Sequence, residues 1–244
     1  VEAWHVNRYC AGILILSAAL IAGCTQFAPC IDGSGNVVSE TRTVEPFHGV
    51  DLAAFGTVYL TQGTPASVRI EAEDNILPLL RTRVTDGVLT IDHNGQCFRN
   101  TQPVVFRVTT DGVRRVSVSG SGTVIGENEI RSENLETGVS GSGAIDLQVN
   151  VTDLASNIAG SGSTTLQGTA TNHTAVVSGS GKVTAFDLET RRSKVTIDGS
   201  GTAEVLATEA LDVVISGSGT VIYQGNPERL VQEVTGSGSL VHAG

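Results

Sequence analysis

No methionine occurs in the chain, which opens on Val1-Glu2-Ala3. Either the true start lies upstream or Val1 derives from a non-standard start codon. Basic residues are scarce: 15 Lys and Arg stand against 25 Asp and Glu, for a formal net charge of −10. That balance argues against nucleic acid, and against an anionic headgroup layer, as direct partners. Signatures of chemistry are missing too. The five histidines (His5, His48, His93, His173, His242) are scattered, and no CxxC or Cys/His cluster occurs, so no metal site is expected. Gly179-Ser180-Gly181-Lys182 ends like a phosphate loop, but Val176 and Val183 stand where Gly and Ser or Thr are required. There is no Gly-x-Ser-x-Gly elbow and no calcium-binding nonapeptide. Asp146, Asp187 and Asp212 do not recur at one repeat position, so stacking would not gather them into an acidic groove. No catalytic residue and no cofactor is expected.

Glycine is abundant, and much of it falls in one tripeptide. Gly-Ser-Gly begins at Gly120, Gly141, Gly160, Gly179, Gly199, Gly217 and Gly236, at successive spacings of 21, 19, 19, 20, 18 and 19. A period near 19 held over six steps is an internal repeat. Counted from the first glycine, offset −2 holds Val118, Val139, Ile158, Val177, Ile197, Ile215 and Val234, all β-branched and suited to strands. Offset +4 holds Val124, Ile145, Thr164, Val183, Ala203, Val221 and Leu240; offset −6 holds Leu135, Leu154, His173, Ser193, Leu211 and Leu230. The apolar positions are even offsets, a period of two.

A unit of this length traces roughly 60 Å at ~3.3 Å per residue. That is too short for a propeller blade of ~40–50 residues. It fits one coil of a parallel β-helix with three sides of ~20 Å. Stacked coils then share a core that none could bury alone. The expected fold is all-β: a parallel β-helix, or solenoid, of ~19-residue coils with Gly-Ser-Gly corners and degenerate N-terminal coils.

Both glycines of each corner fall on even, inward offsets, where a side chain would enter the narrow edge of the prism and where a bend needs a permissive residue. The alternative is a loop at which the strand phase resets. With the bend, the odd offsets face outward. They place Ser119, Ser121, Thr123, Ser140, Ser142, Ser178, Ser180, Ser200, Thr202, Ser216, Ser218 and Thr220 in one hydroxyl array. Such an array is either a solvated corner of small residues or a repetitive binding face for a polysaccharide or another ordered surface.

At the N-terminus Arg8 precedes an apolar run at residues 11–22, AGILILSAALIA. This is short for a membrane span of ~20 residues and right for the core of a signal peptide. It ends in Leu20-Ile21-Ala22-Gly23-Cys24, which resembles the lipobox of bacterial lipoproteins. The resemblance implies lipidation of Cys24, membrane contact through that lipid, and, with Thr25 rather than Asp following, the outer membrane, on its periplasmic or cell-surface face. An ordinary signal peptide with a chance cysteine is the alternative. The expected organisation is a lipoprotein signal peptide at 1–23, a linker at 24–35, a β-rich part with degenerate coils at 36–115 and the repeat β-helix at 116–244. Cys30 and Cys97 remain for a disulfide in an exported protein; otherwise they are two free thiols too far apart to bridge.

Residues 31–110 carry a weaker copy of the pattern. Gly33-Ser34-Gly35 is followed by Val37 as in the later units, and His48, Val50, Leu52, Ala54, Gly56, Val58 and Leu60 match offsets −6 to +6. Asp74 is placed to cap a short helix with Pro78 in its first turn. Asp86-Gly87 turns into 88–92 as a hairpin or coil edge. Residues 94–102 read as a loop and 103–109 as a strand. The segment from Ala54 to Gly120 is more than three periods long, and forms a modified stretch of the stack or a small β-rich cap. Seven of the fifteen basic residues lie between Arg69 and Arg115, as outward strand positions or as a patch for an acidic ligand. The last coil has no evident cap; its edge is either covered by a turn of the chain or used for end-to-end association into a homo-oligomer.

Thr41-Arg42-Thr43-Val44-Glu45-Pro46-Phe47, Val50-Asp51-Leu52, Val58-Tyr59-Leu60-Thr61-Gln62-Gly63, Glu71-Ala72-Glu73-Asp74-Asn75-Ile76-Leu77 and Gly87-Val88-Leu89-Thr90-Ile91, followed by the Val-Ser-Gly-Ser-Gly units, resemble the putative auto-transporter adhesin, head GIN domain family. The resemblance spans roughly residues 36–240 and departs from the repeated glycine pattern at Ala53-Ala54-Phe55. It implies a β-helix-like fold, export, and an adhesin or envelope role, with no catalytic residues to carry over. The expected function is a non-catalytic cell-envelope lipoprotein that binds a glycan, an envelope protein or another surface. A self-associating structural module is the alternative, and a carbohydrate-active enzyme would need a carboxylate cluster that the sequence does not show.

Overall fold

The computed structural model describes residues 30–243; the expected signal segment and Cys24 lie outside them. The N-terminal part holds β1 (Ile31–Asp32), β2 (Val37–Arg42), β3 (Gly49–Leu52), β4 (Thr57–Gln62), β5 (Ser67–Glu73), β6 (Leu80–Thr85), β7 (Val88–His93), β8 (Phe98–Arg99) and β9 (Val105–Thr110). The repeat part holds β10 (Arg115–Val118), β11 (Thr123–Gly126), β12 (Ile130–Gly141), β13 (Ala144–Gly160), β14 (Ser163–Gly179), β15 (Lys182–Gly199), β16 (Thr202–Gly217), β17 (Thr220–Gln224), β18 (Arg229–Gly236) and β19 (Ser239–His242). The structure is a parallel β-solenoid, and one short 3-10 turn, Leu77–Leu79, is its only helical element among the described residues.

Successive coils pair in parallel with like residues in register. Val139 faces Ile158, which faces Val177, then Ile197, Ile215 and Val234. Parallel strands lie ~4.8 Å apart, so each offset becomes a ladder. Val139, Ile158, Val177, Ile197 and Ile215 are all buried, each stabilising the stack by roughly 1.5–3 kcal/mol relative to exposure. The inward columns merge into one core that runs from Phe47 to Val221.

The two glycines of a corner do different work. The first is the bend: Gly141, Gly160, Gly179, Gly199, Gly217 and Gly236 have φ between 112° and 127°. A Cβ on Gly160 would lie 2.5 Å from the Gly141 carbonyl oxygen of the coil before. The second glycine is the inward one. A Cβ on Gly162 would lie 2.4 Å from Cγ1 of Val139, the β-branched residue just ahead of the preceding corner. The strand phase does not reset, because residues at −2, +2 and +4 are all buried from the corner at Gly120 through that at Gly217. Two hydrogen bonds per step tie the corners together, as in Ser161 N–H to Gly141 O (2.9 Å) and Ser163 N–H to Gly143 O (3.0 Å).

Coil length varies on the far side of the prism. Register shifts fall between Thr165 and Gly168, and between Ala185 and Arg192, while Gly179, Gly199 and Gly217 stay paired. The corner is the fixed part of the coil.

The N-terminal region is both stack and cap, and its order in space is not its order in sequence. β3 pairs with β10 on one side and β7 on the other; β4 pairs likewise with β11 and β9. The first coil is therefore β7 with β9, the second β3 with β4, and the third β10 with β11. Ala54 aligns with Gly120, as the offsets require. The outer edge of the first coil is covered by antiparallel strands: β6 on β7 through the Asp86-Gly87 turn, β5 on β9, and β2 on β5. The last coil pairs only inward, β18 with β16 and β19 with β17.

The structure corrects three sequence expectations. Residues 30–35 are not linker: β1 pairs with β8, and Cys30 is bridged to Cys97 with Cα atoms 4.5 Å apart. Gly33-Ser34-Gly35 is no coil corner. It lies in the cap, where Gly35 N–H donates to the buried Glu73 carboxylate at 2.7 Å. Asp74 does not cap the 3-10 turn, whose N-cap is Ile76 without a side-chain bond. Asp74 instead accepts from the Ser34 hydroxyl (2.5 Å) and the Asn36 amide (2.9 Å). The Thr101 hydroxyl, above all, holds the Glu73 carboxyl below its usual range, and Ser34 does the same for Asp74.

Candidate functional site

Offsets −1, 0 and +1 all face outward at each corner: the first glycine, expected inward, is itself exposed or half-buried because the chain bends there, and the inward phase resumes at the second glycine. Ser119, Ser121, Ser140, Ser142, Ser178, Ser180, Ser200, Ser216 and Ser218 are exposed; Thr123, Thr202 and Thr220 are half-buried. The solenoid brings all twelve onto one edge. The column one residue after the first glycine is serine at all seven Gly-Ser-Gly corners: Ser121, Ser142, Ser161, Ser180, Ser200, Ser218 and Ser237. Ser161 and Ser237 were absent from the sequence-derived set, although the same offset marks them. Adjacent rungs stand ~4.8 Å apart, and Thr220 and Ser239 meet across one step at 3.3 Å. The column on the other side of the first glycine is interrupted by Ala159 and Asp198.

A shallow open groove lies beside this edge, bordered by Asp51, Arg115, Ser117, Glu136, Asn157 and Ser178. Ser117 and Ser119 both donate to Asp51 Oδ1, at 2.9 and 3.0 Å. Arg115 pairs with Glu136 at 3.4 Å. The groove combines the hydroxyls of Ser117, Ser119, Ser140 and Ser178 and the Asn157 amide with aliphatic residues, and two carboxylates face one guanidinium across it.

The arginines between 69 and 115 do not gather into an anion site. Arg69 pairs with Glu71, Arg81 and Arg83 share Asp92, Arg99 reaches Asp32, and Arg107 reaches Glu71 and Glu127. Asp212 is bound by Arg229 at 2.7 Å. Among the described residues, no three His, Cys, Asp or Glu side chains lie together as metal ligands, and no helix is long and apolar enough to cross a membrane.

One buried polar chain runs inside the stack. Thr137 Oγ1 donates to Ser156 Oγ at 3.2 Å, and Ser156 meets His173 Nε2 at 3.1 Å. His173 Nδ1 has no partner, and burial lowers the ring's pKa from 6.5 to about 4.

Residues 46–227 match the family described as "Putative auto-transporter adhesin, head GIN domain". The chain belongs to the head GIN domain family. No curated protein matches it significantly. This head GIN domain is similar to the crystal structure of a putative adhesin from Bacteroides fragilis, with a TM-score of 0.82 and 26% identity over 87% of this chain and 100% of that one. A putative lipid binding protein from Parabacteroides distasonis gives a TM-score of 0.74 at 24% identity, covering 88% of this chain and all of that one. A putative adhesin from Parabacteroides merdae gives 0.69 at 20% identity, covering 89% of this chain and all of that one. These last two likenesses show the shared solenoid fold.

Proposed function

We propose that this head GIN domain is a non-catalytic envelope protein that binds an extended, hydroxyl-rich surface such as a polysaccharide through its Gly-Ser-Gly edge. The observation that carries this reading is the unbroken serine column at one offset in seven coils, mounted on glycine corners that never slip register. A ladder of donors and acceptors repeating every ~4.8 Å suits a ligand that is itself periodic. Adhesin naming in the family and in the Bacteroides fragilis structure supports it. The anchor in this reading is a lipid on Cys24, holding the protein at the outer membrane. Two measurements test it. Fluorescent protein is titrated onto purified envelope polysaccharides and whole cells, with a Ser140/Ser142/Ser178/Ser180→Glu variant beside it. Binding should weaken at least tenfold in the variant at unchanged melting temperature; equal binding by both sinks the assignment of the face. Protease shaving of intact cells, with detection of a C-terminal tag, should remove the tag if the edge meets an outside surface.

A further inference from the structure

We infer that the groove beside the serine edge is a seat for one neutral hexose unit, opened by Gly138, a glycine that the fold does not require. The inference rests on the polysaccharide reading above and gives it a fixed place along the stack. Glycine inside a strand weakens it, and marks a bulge, a bend or the close approach of a ligand or another backbone. At Gly168, the other glycine inside a repeat strand, the reason is structural: φ is 107°, and a Cβ would run into the Val149 carbonyl oxygen. Gly138 is different. It lies inside β12, in regular register between Ser117 and Asn157, and its φ is not left-handed. The nearest atom to an added Cβ is Ser117 Cβ at 3.7 Å, an ordinary contact. A β-branched residue would suit this position better, so the strand gains nothing from the glycine.

The missing side chain leaves a depression in an outward sheet face. Its column runs along the stack through Asp51, Ser117, Gly138, Asn157 and Val176, one residue per coil, beside the serine edge. The groove has a volume of about 550 Å³, within the range of small-molecule sites. Ala159 lines it as well, so one break in the hydroxyl column falls where a longer side chain would narrow the groove. A pyranose ring carries an apolar C–H face and a rim of hydroxyls, and the groove answers both. Gly138, Ala159 and Val176 supply apolar surface; the Asp51 carboxylate, the Arg115 guanidinium and the exposed Asn157 amide supply polar groups. The two charged groups form charge-assisted bonds with hydroxyls. Bonds from two serines fix Asp51, and Glu136 fixes Arg115, before any ligand arrives. Two carboxylates against one guanidinium leave an excess of negative charge, which disfavours a uronate, sulfate or phosphate.

Magnetic resonance titration of the chain from residue 25 onward, which keeps every described residue, tests this with methyl glucoside, methyl galactoside, methyl mannoside and methyl glucuronide. At least one neutral hexoside should shift the amide signals of Ser117, Gly138 and Asn157 saturably, and the glucuronide should not. Gly138→Val should raise the dissociation constant at least tenfold while its melting temperature stays level or rises. Thr165→Val, on the other side of the corner, should leave binding unchanged. Polysaccharide binding that the serine-to-glutamate variant loses and Gly138→Val keeps would overturn the seat and leave the edge reading standing. Hexoside shifts at Gly138 without binding of any polysaccharide would support the seat and remove the edge as a track for a polymer. No shift with any neutral hexoside, or an equal response to the glucuronide, would overturn the inference. So would a lowered melting temperature of Gly138→Val, because the glycine would then serve the fold.

Discussion

His173 sits in the column that holds Leu135, Leu154 and Leu211 in other coils, fully enclosed and with one ring nitrogen unpartnered. Its folded pKa of about 4 lies below the 6.5 of the exposed ring, so the unfolded chain binds the extra proton first. Its share of stability is intact above pH 6.5, is lost as the pH falls towards 4, and amounts to roughly 3 kcal/mol. His173→Leu should abolish this loss, read as a flat urea midpoint between pH 7 and 5 where the parent declines. Below about pH 4.5 both proteins should weaken together, because Glu73 and Asp74 have depressed pKa values and lose their bonds on protonation. The corner offers a second contrast across three consecutive residues. Gly162→Ala drives a methyl into Val139 and the Gly143 carbonyl and should cost about 1–3 kcal/mol. Gly160→Ala adds strain at φ 127° and should be at least as damaging, whereas Ser161→Ala should stay within about 0.5 kcal/mol. Chemical denaturation of the three variants decides it; a costly Ser161→Ala would mean that the hydroxyl is structural.

At the scale of elements, the repeat was legible because period two and a glycine pair recurring once per coil are independent signals of the same architecture. Val118 through Val234 could be aligned by counting alone. The division of labour between the glycines was not legible, since both sit on even offsets and only backbone geometry separates bend from close approach. The cap misled for a similar reason: Gly33-Ser34-Gly35 carries the corner's letters but serves a carboxylate-bound loop around Glu73 and Asp74. The serine column was legible as a shared offset, with Ser161 and Ser237 overlooked. Because Cys30 and Cys97 close a sequence separation of 67 around this cap, loop entropy assigns the bridge about 4 kcal/mol. Replacing both cysteines with serine should lower the denaturation midpoint and expose β1 and β8 to hydrogen exchange before β13 to β15. Simultaneous exchange of all five strands would show that the cap and stack unfold as one.

At the scale of the whole molecule, contacts are almost entirely between neighbouring coils, which makes the stack quasi-one-dimensional. The order of its first two coils was hidden from the sequence. The stretch between Ala54 and Gly120 contains no Gly-Ser-Gly, and nothing local shows that β7 and β9 pass beneath β3 and β4. Charge distribution alone could not separate a basic patch from the ion pairs that Arg69, Arg81, Arg83, Arg99, Arg107 and Arg115 form. Removing residues 161–179 joins Gly160 to Ser180 in an unbroken corner phase. The shortened chain should fold, with a urea m-value reduced by about one coil's share of exposed surface. Failure to fold would mean that the register shifts near Gly168 and Glu189 are coupled to the coils beneath.

Because every length change is taken up away from the glycine corners, the solenoid measures distance by counting. Each added or deleted unit moves the coil of β18 and β19 by ~4.8 Å relative to the capped end and leaves the lateral face in phase. The molecule is in that sense a graduated rod, whose reach can be lengthened or shortened in whole steps by gain or loss of units that share a corner and an apolar pattern.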